Sequence, residues 1–400
     1  MESGQKMRGK RIASVGLAIA CALLAIAAED MTPNTAGAIA DGKMKTVCVG
    51  RFLIDLPVEA EVTIRGGFVG GFDVSEIPES DENYRNRLRR MEEEVGATRD
   101  ELGENSLEWS KTLQFGVAAG KVAVFDRQRA QGLDGGRIIE AEDFSVRGML
   151  RFPNVSVAAE AKRQGVERGE ELARLFARLT LLSEAGVHRE PGFCLGHTFV
   201  RDPYESAETE SVVMSAALPR HPDVHIVLYS MAGTDPAPGL LARNAKSAKR
   251  EPLYMRLAFT TLRERQRIVH TLVGEELVLK VREPNLTTGY SMQFEVTGKQ
   301  HDVYAPLLAL ELGSGTNSVI GGKPVQSSLS EGAVLKLWDR IASSVRVRPV
   351  GNAHRLPART LGMNMRSHPP AGATPSLGGM SSSESLSAHV KSRAWWSNET

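Results

Sequence analysis

Apolar and polar positions along the chain fall into two successive series with the same grammar. The first opens over residues 45–57 (KTVCVGRFLIDLP), where Val47, Val49, Phe52, Ile54 and Leu56 are apolar β-formers. Pro57 has no N–H to give to a ladder and ends that strand. The second opens over residues 192–203: the Cys-x-Gly core at Cys48 returns at Cys194, again followed by apolar residues and by an Asp just before a Pro. Each series closes on a similar helical stretch, ELARLFARLT over 171–180 and GAVLKLWDRIAS over 332–343, so that Leu175, Phe176 and Leu179 lie over Leu337, Trp338 and Ile341. Two diverged copies of one unit are expected.

Within the first copy, Val62, Thr63 and Ile64 continue the strand pattern, and Gly66-Gly67 with Gly70-Gly71 mark sharp bends. Ser80 and Asp81 cap an amphipathic helix over 82–94, with Tyr84, Leu88, Met91 and Val95 at helical spacing and opposite charges three and four residues apart on the other face. Residues 109–125 and 137–152 read as strands joined by the Asp134-Gly135 chemistry of a tight hairpin. A long helix over 159–183, with Leu172, Leu175, Phe176, Leu179 and Leu182 on one side, is expected to close the sheet, and 186–191 is the joint.

In the second copy, 211–218 and 224–231 form a hairpin, after which a Pro-rich break leads into a basic, exposed stretch over 243–250. A helix is expected over 257–270, and 272–281 is helix or strand around Gly274-Glu275-Glu276. Met292, Phe294 and Val296 alternate as a strand, 307–312 is a buried strand, and 331–344 is the closing helix.

The termini have a different texture. Lys6, Arg8, Lys10 and Arg11 precede an uncharged apolar run over 12–28, the layout of a signal peptide, with cleavage after Ala27 or after Ala40. Cys21 follows Ala18-Ile19-Ala20, a degenerate acylation box, so lipid anchoring to the envelope through Cys21 stands as the alternative to loss of the leader. Residues 350–400 are rich in Ser, Gly, Pro and Ala and are expected to be a disordered tail, with Trp395-Trp396 as a chance pair or a docking element.

Length, charge and cysteines narrow the picture. Four hundred residues exceed what one core of about 100–200 residues serves, so the expected division is a leader over 1–40, domains over 41–187 and 188–349, and the tail. With 49 Lys+Arg against 48 Asp+Glu the net charge is +1, so the whole-chain balance provides no electrostatic case for DNA, RNA or an acidic membrane as the main partner and leaves only local patches. Beyond Cys21, the cysteines are Cys48 and Cys194, at equivalent places in the two copies, expected to be structural. Export permits a disulfide between them, and two buried thiols acting as small hydrophobes are the other outcome.

Catalytic patterns are near misses. A nucleophile elbow at Ser230 lacks its first glycine, since Leu228 stands there. His221 and His225 are four apart, but Pro222 argues against the helix that would aim both at one metal. Glu275-Glu276 is an acidic pair of a kind common on surfaces. No catalytic residue, metal or cofactor is assigned.

Residues 48–57 (CVGRFLIDLP), the second opening at Phe193-Cys194-Leu195, Gly274-Glu275-Glu276 and the stretch PLLALELGSG over 306–315 resemble the family of periplasmic immunity proteins of type VI secretion that neutralise a lipase effector of the fourth class. The resemblance covers residues 45–348. It implies an α+β protein of two similar domains, each an antiparallel sheet packed with helices, arranged as a clamp that grips a cognate phospholipase effector and occludes its active-site entrance in the periplasm. No partner-binding residue is assigned. An envelope hydrolase and a periplasmic scaffold are the alternative functions.

Overall fold

The computed structural model describes Ile39 and residues 41–349, except 101, 135–136, 183–188, 203–208, 234–237, 301 and 320. The leader apart from Ile39, Cys21 included, residues 186–188 of the joint and the tail with Trp395-Trp396 lie outside the described residues.

The first copy runs β1 (Met44–Val49), β2 (Phe52–Pro57), β3 (Glu61–Val69), β4 (Phe72–Pro78), α1 (Asp81–Ala97), β5 (Trp109–Phe115), β6 (Ala118–Asp134), β7 (Arg137–Phe152), β8 (Val155–Gln164), α2 (Arg168–Phe176) and β9 (Leu179–Leu181). The second runs β10 (Gly192–Cys194), β11 (Thr198–Arg201), β12 (Ser211–Leu218), β13 (His221–Met231), α3 (Leu240–Ala248), α4 (Leu253–Ala258), β14 (Phe259–Val269), β15 (Leu272–Arg282), β16 (Thr288–Val296), β17 (Leu307–Ser314), α5 (Glu331–Ser344) and β18 (Arg346–Val347). Antiparallel strands dominate, with few helices.

Twelve strands form one sheet in the order β14-β15-β16-β17-β13-β12-β3-β4-β8-β7-β6-β5. The copies meet inside it, where β12 pairs with β3 through Ser215↔Thr63 and Met214↔Ile64. Two small sheets lie beside it, and each mixes the copies. The opening hairpin β1-β2 takes β18, the closing strand of the second copy, while the opening hairpin β10-β11 takes β9, the closing strand of the first. The hairpins are thus exchanged. Phe52, Ile54 and Leu56 of β2 share one continuous core with Leu337, Trp338 and Ile341 of α5 and with Leu172, Leu175 and Phe176 of α2.

The other face of the sheet is covered in two places. α1, capped by Ser80, whose Oγ accepts the Asn83 N–H at 3.2 Å, sets Tyr84, Met91 and Val95 on Ala123, Phe125 and Met149. Its acids pair with the sheet as well: Asp81 with Arg151, Glu92 with Lys121, Glu94 with Arg147. α3 sets Leu240 on Leu277 and Leu279.

Three local expectations change. The single helix over 159–183 is β8, α2 and β9, because Val155, Val157, Ala159 and Ala161 are buried in strand alternation and only the leucine stripe beyond Gly165 is helical. The helix over 257–270 is the short α4 followed by edge strand β14, whose inward positions are arginines rather than apolar residues: Arg263 meets Asp339 and Arg267 meets Glu276. The basic stretch is anchored at its start, where Arg243 is paired to Glu295.

Candidate functional site

The meeting of the copies leaves a groove of about 880 Å³ on the α1 face, walled by α1, β7 and β8 on one side and by β12 on the other. Its floor lacks side chains at Gly66 and Gly67. A Cβ at Gly66 would lie 1.9 Å from the Val74 carbonyl oxygen, and one at Gly67 would lie 2.2 Å from that of Ser211, so glycine lets β3 sit against both neighbours. Gly66 also has φ of +141°, a left-handed value that penalises any side chain. Next to them the β3-β12 register slips between Val212 and Met214, which turns Val213 outward, 55% exposed.

Charge in the groove is only partly neutralised. Arg147 holds Glu94 at 3.0 Å and Glu160 at 3.4 Å, and Arg87 holds Glu79 at 2.7 Å. Arg65 on β3 and Arg90 on α1 are exposed and make no ion pair among the described residues. Asp73 stands opposite Glu160 in the ladder, like beside like. The site offers two free guanidiniums above an open, partly apolar floor.

The walls are held rigidly to each other behind the sheet. Cys48 and Cys194 form a disulfide, with Cα atoms 5.9 Å apart, joining the exchanged hairpins. The Arg51 guanidinium donates to Glu210 at 2.6 and 2.9 Å and to Asp202 at 2.7 and 3.1 Å, with the Tyr304 ring 4.6 Å away. Burial pushes the Glu210 carboxyl up to about 7; Arg51 pulls the other way and the Asp202 charge adds to the rise. The equivalent turn of the second copy is anchored reciprocally: the His197 and Thr198 N–H groups donate to Glu76 of β4 at 2.6 and 2.8 Å.

The sequence-level candidates are placed away from the groove. Cys48 and Cys194 are the bridge. Ser230 is buried inside β13, paired to Leu308. His221 turns its Nδ1 to the Ser328 hydroxyl at 2.8 Å. Glu275 accepts the Leu241 N–H at 2.9 Å, while Glu276, fully buried, takes Trp338 Nε1 at 2.8 Å, Arg265 at 2.6 Å and Arg267. Both members of that acidic pair are occupied by structural donors. Among the described residues no group of three His, Cys, Asp or Glu could hold a metal. Arg65 and Arg90 escaped the sequence reading. The signal was the glycine pair beside Arg65, which reads as a bend until its place between the copies is known.

Comparison with known proteins locates this architecture. Residues 45–144 match the Tle cognate immunity protein 4 N-terminal domain, and residues 187–350 match the Tle cognate immunity protein 4 C-terminal domain. Among solved structures, the fold is similar to the apo form of immunity protein TplEi of T6SS from Pseudomonas aeruginosa, 22% identical, with a TM-score of 0.62 over 78% of this chain and 100% of that one. It is also similar to the Tle4-Tli4 complex, 24% identical, TM-score 0.60, over 77% of this chain and 98% of that one. TplEi complexed with "L" peptide is 23% identical, TM-score 0.57, over 77% and 99%. No curated protein sequence matches the chain. With both family domains matched in order across the two copies, the chain belongs to the Tle cognate immunity protein 4 family.

Proposed function

We propose that the chain binds and inhibits a cognate type VI secretion phospholipase effector in the periplasm, and that the groove between the copies is its contact surface. Family membership supports the partner class, and a solved relative is described as the Tle4-Tli4 complex. The observation that carries the surface is the pair of free guanidiniums, Arg65 and Arg90, over the Gly66-Gly67 floor. An effector segment with carboxylates for the arginines and an apolar side chain against Val213 fits there. The inhibitor does no chemistry of its own. It contributes a pre-formed surface, locked by a disulfide and by buried ion pairs, so little ordering opposes binding, and it acts by covering the effector's active-site entrance.

The test is a lipase assay on the effector recovered with the chain from its producer. Stoichiometric wild-type chain abolishes activity. R65E/R90E, with an unchanged melting temperature, raises the concentration for half inhibition by at least about tenfold, as expected when charges facing a partner are reversed. Full inhibition by that variant moves the interface elsewhere, and recovery of no lipase removes the reading altogether.

A further inference from the structure

The basic stretch after the Pro-rich break is not used by the groove. α3 is fixed at its start, where Leu240 is buried, Leu241 N–H donates to Glu275 at 2.9 Å and Arg243 donates to Glu295 at 2.6 and 2.9 Å. Lys246, Lys249, Arg250 and Arg256 are exposed and make no ion pair among the described residues. The one acid of the span, Glu251, accepts from Ser247 Oγ at 3.2 Å. Leu253 and Leu257, four apart and therefore on one side of α4, are 68% and 75% exposed.

Four free cations, two of them lysines, surround two bare leucines, and lysine is depleted at protein interfaces. Exposed leucines flanked by Lys/Arg are also the composition of segments that lie in a lipid headgroup layer. We propose that this corner, the end of α3 with α4, is a peripheral docking surface for an anionic phospholipid bilayer: the leucines enter the acyl boundary and the cations meet lipid phosphates. The corner sits over β15 and edge strand β14, five strand spacings from β3, roughly 24 Å along the sheet. The leucines and cations stand on their own, so the inference does not depend on the identity of the protein bound in the groove.

The test is flotation of the chain, purified without detergent from the soluble envelope fraction, with vesicles of phosphatidylethanolamine and phosphatidylglycerol and with vesicles of phosphatidylcholine alone. Binding to the anionic vesicles is expected, falling at least about tenfold when salt is raised to about 0.5 M, with little binding to phosphatidylcholine. L253D/L257D and K246E/K249E/R250E each lower the bound fraction at least about fivefold while leaving the melting temperature unchanged, since these side chains lie outside the core. Absence of flotation on anionic vesicles overturns the proposal, as does equal flotation of the wild-type chain and both variants. So does a leucine variant that floats normally but loses effector inhibition, which would assign the corner to a protein partner.

Discussion

Gly50 and Cys194 exchange two backbone hydrogen bonds, each 2.9 Å long, across the junction of the two copies. One residue belongs to the turn of the first opening hairpin and the other to the first strand of the second. Together with the Cys48–Cys194 disulfide they fix the point about which the hairpins are exchanged. The carboxylates that anchor the two hairpin turns are crossed in the same sense, Glu210 of the second copy on Arg51 and Glu76 of the first on His197 and Thr198. The two repeats are therefore interdependent, which has consequences for how they fold and how they fail.

The first concerns the disulfide. It closes a sequence separation of 146 residues, for which loop-closure entropy in the unfolded chain gives stabilisation of about 4–5 kcal/mol. C48S/C194S is expected to shift the urea unfolding midpoint downward by a large fraction of the wild-type stability. Reductant should move the wild-type midpoint toward the variant's and leave the variant unmoved. Coincident midpoints for oxidised wild type and variant would show that the bridge is idle.

Separating the copies is the second test. Residues 41–187 alone keep β1-β2 but lose α5 and β18, so Phe52, Ile54 and Leu56, all 3% exposed or less, face water. That fragment is expected to aggregate or to melt without cooperativity. Co-expressed with residues 188–349 it should recover a soluble one-to-one complex, visible as a single band on non-reducing gels. A cooperative melt of 41–187 by itself would mean that the exchange is dispensable.

Stability should also fall as pH rises through neutrality. Burial pushes the Glu311 carboxyl of β17 up to about 7; the hydrogen bond from Gln293 opposes this and the Glu295 charge adds to it. Glu210 is pushed up to about 7 as well, again by burial first. An unfolded glutamate titrates near 4.5, so between that value and about 7 the folded chain keeps protons that the unfolded chain has released. The resulting stability is complete below the unfolded value and is lost as pH rises through the folded one. From pH about 8 to about 5.5 Glu311, which has no cationic partner among the causes of its shift, contributes on the order of 2 kcal/mol, and E311Q should flatten that part of the slope. Equal slopes for wild type and E311Q would return Glu311 to an ordinary titration.

Much of this fold is written locally. The Ser80 and Ser330 caps, the antiparallel pairing of β6 and β7 that brings Asp134 opposite Arg137, the strand alternation at Met292 and Phe294, and the repeated opening around Cys48 and Cys194 are each set by a few adjacent residues. What was not legible depends on partners far away. β14 has no apolar stripe because Arg263 and Arg267 are neutralised by Asp339 and Glu276 from other elements, and no periodicity records that. The exchange of hairpins leaves no trace either, since β2 has the same pattern whether it pairs with β9 or with β18. The groove inherits this opacity, because its floor exists only where β3 meets β12.

That floor supports a last prediction, with an internal control. Gly66 carries both a left-handed φ and a close carbonyl, 1.9 Å from where a Cβ would be, while Gly67 carries only the close approach, 2.2 Å to the Ser211 oxygen. Gly116 has φ of +60° with open space around it. The conformational penalty alone, on the order of 1 kcal/mol, is then expected for G116A. G67A must move β12 away from β3, and G66A must do the same between β3 and β4 with the φ penalty added, for about 2–4 kcal/mol in each case and more at Gly66. Urea unfolding should therefore rank the losses G66A above G67A above G116A. The effector assay adds the functional half: G67A should weaken inhibition more than its stability loss explains, because it displaces Val213 and Arg65 on opposite sides of the floor, whereas G116A should inhibit as the wild type does. If G67A is as benign as G116A, the two strands yield without cost and the junction is softer than its close carbonyl contacts require.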